Sequence, residues 1–210
     1  MDKELFKRIL SSITLIPVVL FFIIKGSLMF ILLITLCFLI VVYEWNNLSK
    51  KKSYNILGII FILFSFYTVY RIRNDFNTDY FYFLFIISIC IATDIGGYVF
   101  GKIIGGKKLS KISPNKTIAG TIGSFILSII PLVIALNFNF LDLEFNLTNI
   151  IFCLLISLIS QIGDLFISLI KRKAEIKDTG NLLPGHGGIL DRMDGIIFAV
   201  PFSYFLLKLI

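Results

Sequence analysis

Acidic, hydroxyl and basic side chains gather in the stretch Gln161-Ile-Gly-Asp-Leu-Phe-Ile-Ser-Leu-Ile-Lys-Arg172 of this 210-residue chain. On a helix, Asp164, Ser168 and Lys171 are spaced four and three apart and share one face. A lipid-facing helix would not give three positions to a carboxylate, a hydroxyl and an ammonium, so this face should line a polar cavity. Lys177-Asp-Thr-Gly180 and Leu183-Pro-Gly-His-Gly-Gly188 follow, and both are turn chemistry. The second contains His186, the only histidine. Its glycines would let backbone N–H groups approach a phosphate, and His186 would either donate to that phosphate or fix the loop. Asp191-Arg-Met-Asp194 then sets two carboxylates three apart. With Asp164 they suit a hard divalent cation, Mg²⁺, as one ion or two. The bland alternative is that the acid pair caps a helix start.

A second polar stretch runs from Gly101-Lys-Ile-Ile-Gly-Gly-Lys-Lys108 to Ile112-Ser-Pro-Asn-Lys-Thr117. Gly101 to Lys107 has the spacing of a P-loop, but Lys108 stands where Ser or Thr is needed and no strand precedes it, which excludes a P-loop NTPase. Gly97-x-x-x-Gly101 also fits close helix packing. Lys107, Lys108, Lys111 and Lys116 would either bind phosphates or follow the positive-inside rule. Asp94, inside another apolar run, is either functional or a carboxylate reaching water.

The elements that must carry these groups are membrane helices. The chain is 57% hydrophobic and 16% charged, with a mean hydropathy of +0.93. A soluble domain is about 25% charged, so composition excludes both an ordinary soluble domain and a disordered chain. Apolar runs lie at 9–24, 26–43, 53–70, 80–100, 117–136, 145–170 and 195–210. The expected fold is therefore all-α and polytopic, a bundle of about seven transmembrane helices with a polar cavity open to the cytoplasm. Residues 1–210 form a single integral membrane domain, in which 1–90 are packing spans and 91–210 carry the catalytic spans and loops. The first run reads as a retained signal-anchor span. With the N-terminus in the cytoplasm, cytoplasmic segments hold sixteen Lys and Arg and the outer side holds four. That asymmetry accounts for the net charge of +7, and no nucleic-acid partner is expected. Cys37, Cys90 and Cys153 lie in apolar runs without metal or redox spacing and read as small hydrophobes.

At these residues the sequence resembles the phosphatidate cytidylyltransferase family. Its pattern S-x2-K-R-x4-K-D-x-G-x2-[LIF]-P-x-H-G-G-[LIVMF]-x-D-R-x-D is matched at every fixed position from Ser168 to Asp194. The segments Gln161-x-Gly-Asp-Leu165, Ser113-Pro-x-Lys-Thr117 and Asp94 to Lys102 also resemble family motifs. The family usually carries an acid where Ala119 stands, and commonly has more N-terminal helix. The resemblance implies that CTP and phosphatidic acid react; the Lys and Arg bias turns the site to the cytoplasm, and the small size and short N-terminus suggest a bacterial inner membrane. The products would be CDP-diacylglycerol and pyrophosphate, and a homodimer is plausible for the class. Asp164, Lys171, Asp191 and Asp194 would be catalytic, with the three acids holding Mg²⁺. Ser113, Lys116, Ser168, Arg172 and His186 would bind substrate. If residues 1–90 only pack the bundle, activity should survive their loss. A transporter would favour repeats and polar groups near the midplane, and neither is seen. A CDP-alcohol phosphotransferase would need further acids after Asp194-Gly195, where the chain is apolar.

Overall fold

The computed structural model describes residues 3–50, 52–75, 80–110, 113, 116–182 and 187–209, with side chains from residue 13 onward. Each apolar run becomes helix, because an apolar segment in a membrane must satisfy its backbone hydrogen bonds internally. The helices are α1 (Lys3–Lys25), α2 (Ser27–Leu48), α3 (Asn55–Asp75), α4 (Phe81–Ile103), α5 (Ile118–Leu127), α6 (Ile130–Asn137), α7 (Leu147–Lys173), α8 (Leu190–Met193) and α9 (Ile196–Leu209). An isolated antiparallel bridge pairs Lys108 with Thr117. The expected all-α polytopic membrane protein is therefore what the chain forms.

Five stretches are long and apolar enough to cross a membrane: Ser27–Leu48, Asn55–Asp75, Phe81–Ile103, Ile118–Asn137 and Leu147–Lys173. They mark an integral membrane protein. The first expected span falls within α1, a helix of 23 residues, and the last is the 14-residue α9. The fifth span is two helices. Pro131 falls in the first turn of α6 and has no N–H to continue the ladder of α5. Large apolar side chains on these helices face outward, among them Leu36, Ile56, Leu57 and Ile122. In water such a surface would aggregate, whereas against lipid tails it is the expected exterior.

The chain divides into two compact units. One comprises residues 1–70 and 170–193, the other 71–169 and 194–210. In the first, α1 and α2 pack together and α2 also meets α8. Gly26, at φ +63°, makes the break between α1 and α2. Trp45 donates from Nε1 to the carbonyl of Asn55 at 3.0 Å, and its ring occupies the space that a side chain at position 58 would need.

In the second unit, α4 packs on α5, α6 and α9. Small residues set the α4–α5 approach, as Gly97-x-x-x-Gly101 allowed. A Cβ on Gly120 would lie 2.6 Å from the Gly97 carbonyl oxygen, and one on Gly96 would meet the backbone of Gly123. A hydroxyl ladder starts at the same interface and runs on to α7. Ser124 donates to the Thr93 carbonyl at 2.7 Å, Thr93 and Ser157 share a hydrogen bond at 2.9 Å, and Gln161 donates to Ser157 at 3.3 Å. Ser157, Gln161, Asp164 and Ser168 recur every three or four residues along α7, so the ladder fixes the face that carries Asp164. A cavity of about 400 Å³ opens at the other end of these helices, lined by Tyr82, Phe85, Asp142, Glu144, Asn149 and Phe152 among others.

Because the obstacle to a side chain at position 120 is backbone, it cannot move aside. Gly120→Ala should lose about 1–3 kcal/mol of stability, read as a fall of several degrees in Tm in detergent. Ile122→Ala, on the outward face, should change Tm little. Equal Tm values for Gly120→Ala and the parent would show that the close approach is not maintained.

Candidate functional site

The polar residues of the motifs settle into two clusters, one within each unit. In the unit of residues 71–169 and 194–210, Asp164 is the centre. Its Oδ1 accepts from Ser168 Oγ at 3.2 Å, one turn along α7. Its Oδ2 is ion-paired with Lys116 Nζ. Both partners are about a quarter to a third exposed, at 25% and 30%, so the pair stays reachable from solvent.

Lys116 is positioned by the loop that precedes α5. Gly105 and Gly106, at φ +64° and +90°, reverse the chain. Leu109 N–H then donates to the Lys116 carbonyl at 2.8 Å, and Ile118 N–H to that of Lys107 at 3.0 Å. Thr117 caps α5 by accepting from Gly120 N–H at 3.1 Å. Ser113 lies in the same loop, where its N–H donates to Ser110 Oγ at 3.2 Å and its carbonyl accepts from Lys116 N–H at 3.1 Å. The structure thus uses the Ser113–Thr117 motif to aim Lys116 at Asp164.

Asp194 is carried by the turn into α9 and accepts from Gly195 N–H at 2.9 Å. Two glycines bring this turn close to α7. A Cβ at Gly163 would lie 2.9 Å from the Asp194 carbonyl and against the Phe198 ring, and one at Gly195 would meet Ser160. Gly163 directly precedes Asp164, which explains why the Gln161–Leu165 motif needs a glycine there.

In the other unit the centre is Asp191. Its Oδ1 accepts from Lys171 Nζ at 2.8 Å. Its Oδ2 accepts from Thr179 N–H at 2.7 Å and Gly188 N–H at 2.9 Å. The Asp191 side chain is only 5% exposed. Burial pushes its carboxyl pKa upward, but the bonds from Lys171, Gly188 and Thr179, with the Lys171 charge, outweigh burial and hold it below the usual range. Gly187, at φ +85°, leaves room for Oδ2, which lies 2.9 Å from where its Cβ would be.

Arg172 is exposed and reaches the Ile176 carbonyl at 3.5 Å, beside the end of α7. There Glu175 takes a left-handed conformation, φ +57°. Ile176 N–H bonds the Lys171 carbonyl at 3.1 Å and Glu175 N–H that of Arg172 at 3.1 Å, a Schellman closure without glycine. Asp94 is exposed on α4. His186 and Lys111 lie outside the described residues.

One residue of this network was not read from the sequence. Glu44 of α2 is 3% exposed and takes three hydrogen bonds from the segment that follows α7. Thr179 Oγ1 donates to Oε2 at 2.9 Å, Ile189 N–H to Oε1 at 3.0 Å and Leu190 N–H to Oε2 at 2.8 Å. The only signal in the sequence was an acid in the last turns of an apolar helix. One of the first 90 residues thus bonds the segment that leads into α8 and Asp191.

The three aspartates differ in their readiness for a metal. Asp164 and Asp194 are hard oxygen donors, and Asp164 already has a cation, the Lys116 ammonium, against one oxygen. Asp191 has both oxygens engaged by an ammonium and two amides. Among the described residues no three His, Cys, Asp or Glu gather into a metal-holding group. The donor set fits a hard cation that takes one or two carboxylates and completes its shell with phosphate oxygens and water.

Fold and site together define a polytopic membrane protein with lysine–aspartate pairs on its motif loops. Profile comparison carries this further. The cytidylyltransferase family matches residues 6–77 and 56–210, and the chain belongs to that family. A phosphatidate cytidylyltransferase of Rickettsia bellii is 35% identical, aligned over 98% of this chain and 93% of its own length. Those of Bacillus subtilis and Staphylococcus epidermidis are 38% and 36% identical over 73% and 80% of this chain. This chain spans 57% and 65% of their respective lengths.

The folded-state pKa of Asp191 lies below its ordinary value of about 3.9. Its contribution to stability is therefore complete above about pH 4 and is lost as pH falls through the folded value. Asp191→Asn should cost about 3 kcal/mol at pH 7 by leaving Lys171 unpaired, and should flatten the fall in stability between pH 5 and 3. Unfolding in detergent across pH 3–7 reads both. Parallel curves for variant and parent would remove Asp191 from the acid limb.

Proposed function

We propose that this chain transfers the CMP of CTP to phosphatidate, forming CDP-diacylglycerol and pyrophosphate. The observation that carries the reading is the near full-length match to the Rickettsia phosphatidate cytidylyltransferase. The lysine–aspartate pairs supply the chemistry it needs. Both substrates are anions, and bringing them together requires fixed positive charge. The lipid phosphate oxygen attacks the α-phosphorus of CTP in line, and the bond to the bridging oxygen of the β-phosphate breaks. No general base is needed, since the attacking oxygen is already ionised at neutral pH.

In this reading Lys116 exchanges Asp164 for a substrate phosphate, and Ser113 steadies the loop that presents it. Lys171, held in place by Asp191, neutralises phosphate charge. Ser168 and Arg172 are further donors, and His186 binds phosphate or fixes its loop. Asp164 and Asp194 would hold Mg²⁺, and a second ion belongs to the same proposal. Mg²⁺ supplies charge neutralisation on the triphosphate when bound. Asp191 is better suited to orienting Lys171 and the 179–188 turn than to ligating the ion. The bias of Lys and Arg to one set of loops supports a site facing the cytoplasm. Bacterial relatives support an inner-membrane location. A homodimer completes the proposal, with the family resemblance as its support.

The test is an assay of the detergent-solubilised protein with labelled CTP, phosphatidic acid and Mg²⁺. Lipid-extractable CDP-diacylglycerol should form and depend on Mg²⁺. Lys116→Ala and Asp164→Asn should each lower kcat/KM by about 10²-fold or more, the scale of losing one group that stabilises developing charge. Product formed from another lipid phosphate but not from phosphatidic acid would keep the transfer chemistry and change the substrate. No nucleotide transfer to any lipid phosphate, from folded protein, would sink the reading.

A further inference from the structure

We infer that Glu44 is a positioning residue for the transfer reaction, acting as the anchor of the 179–190 loop. The inference rests on the function proposed above. Glu44 belongs to α2, more than 130 residues from its partners. A buried carboxylate is strongly unfavourable unless its oxygens are satisfied. Here one hydroxyl and two amides satisfy them, and all three come from the two ends of one loop. Thr179 enters the loop, while Ile189 and Leu190 leave it for α8.

The same loop is held from its α8 end by Asp191, and the two carboxylates interlock. Thr179 gives its N–H to Asp191 and its hydroxyl to Glu44. Gly188 gives its N–H to Asp191, and its missing side chain leaves the space that the Glu44 carboxylate fills. Gly180 does the same, with Glu44 Oε1 2.9 Å from where its Cβ would be. Two glycines of the motif are thus required by a residue outside it. Because Asp191 fixes Lys171, a loop loosened at Glu44 misplaces the ammonium that meets phosphate charge. Misplacement by about 1 Å can cost 10²-fold in rate. Glu44 is buried with both carboxylate oxygens bonded to the loop, so its loss should act on turnover more than on binding.

Glu44→Gln keeps the length and one acceptor oxygen but turns an NH₂ toward a donor. Its kcat should fall about 10- to 100-fold, with KM for CTP changed less than about threefold. Amide hydrogen exchange at residues 179–190 should accelerate while exchange in α4 and α5 stays as in the parent. Thr179→Val removes the same bond from the other side, and its effect combined with Glu44→Gln should be less than additive. Thr179→Ser should retain more activity than Thr179→Val. Should Glu44→Gln fail to fold, the Thr179 pair carries the same test. Unchanged exchange in the loop would overturn the anchor, and faster exchange with unchanged kcat would overturn the positioning role. A parent protein inactive with every lipid phosphate would sink the proposed function, leaving the exchange result to decide the anchor by itself.

Discussion

A chain that is more than half hydrophobic has few places to put a polar group, and each one it buries must find its partner within the protein. This constraint organises both units. In the second, Ser124, Thr93, Ser157 and Gln161 are linked in sequence across α5, α4 and α7. The ladder serves packing, and it also prevents rotation of α7, which would carry Asp164 away from Lys116. In the first, Glu44 and Asp191 are buried acids whose oxygens draw in a hydroxyl, an ammonium and backbone amides. The described ends of the loop between α7 and α8 are held where those acids find their donors.

Glycine follows from the same requirement. At positions 105 and 106 glycine serves conformation, since the backbone is left-handed and nothing crowds the missing side chain. At positions 120, 163, 180 and 188 it serves proximity, since a backbone or a carboxylate occupies the space. A motif rich in glycine therefore does not by itself imply a phosphate cradle. In the described part of this loop, Gly188 and Thr179 spend their amides on Asp191.

Much of this was legible in the sequence, and the reasons are local. Apolar runs gave helices because the bilayer leaves little alternative, and Asp164, Ser168 and Lys171 were placed on one helix by spacing alone. The Gly97–Gly101 spacing gave the close contact of α4 with α5. Three features were harder. The fifth run breaks at Pro131, where hydropathy alone stays uniform. Lys116 pairs with Asp164 across 48 positions, and Glu44 meets its partners across still more. Periodicity reports only neighbours along one element, so partners brought together by tertiary packing leave no spacing to read. Glu44 was overlooked because an acid near a helix end looks like an ordinary boundary residue, whereas its burial is a property of the folded unit.

The lysines deserve their acids for a reason beyond stability. A buried ion pair gains little over apolar packing, because desolvation offsets most of the attraction. Lys171 and Asp191 are therefore poor candidates for mere ballast, and the same holds for Lys116 and Asp164 at their more open position. Held against carboxylates, the ammonium groups are kept oriented inside an apolar protein. The two pairs differ in exposure. Lys116–Asp164 is open enough to exchange partners, which is what the proposed transfer asks of it. Lys171–Asp191 is closed on the acid side and tied through Thr179 to Glu44, so it suits a fixed charge.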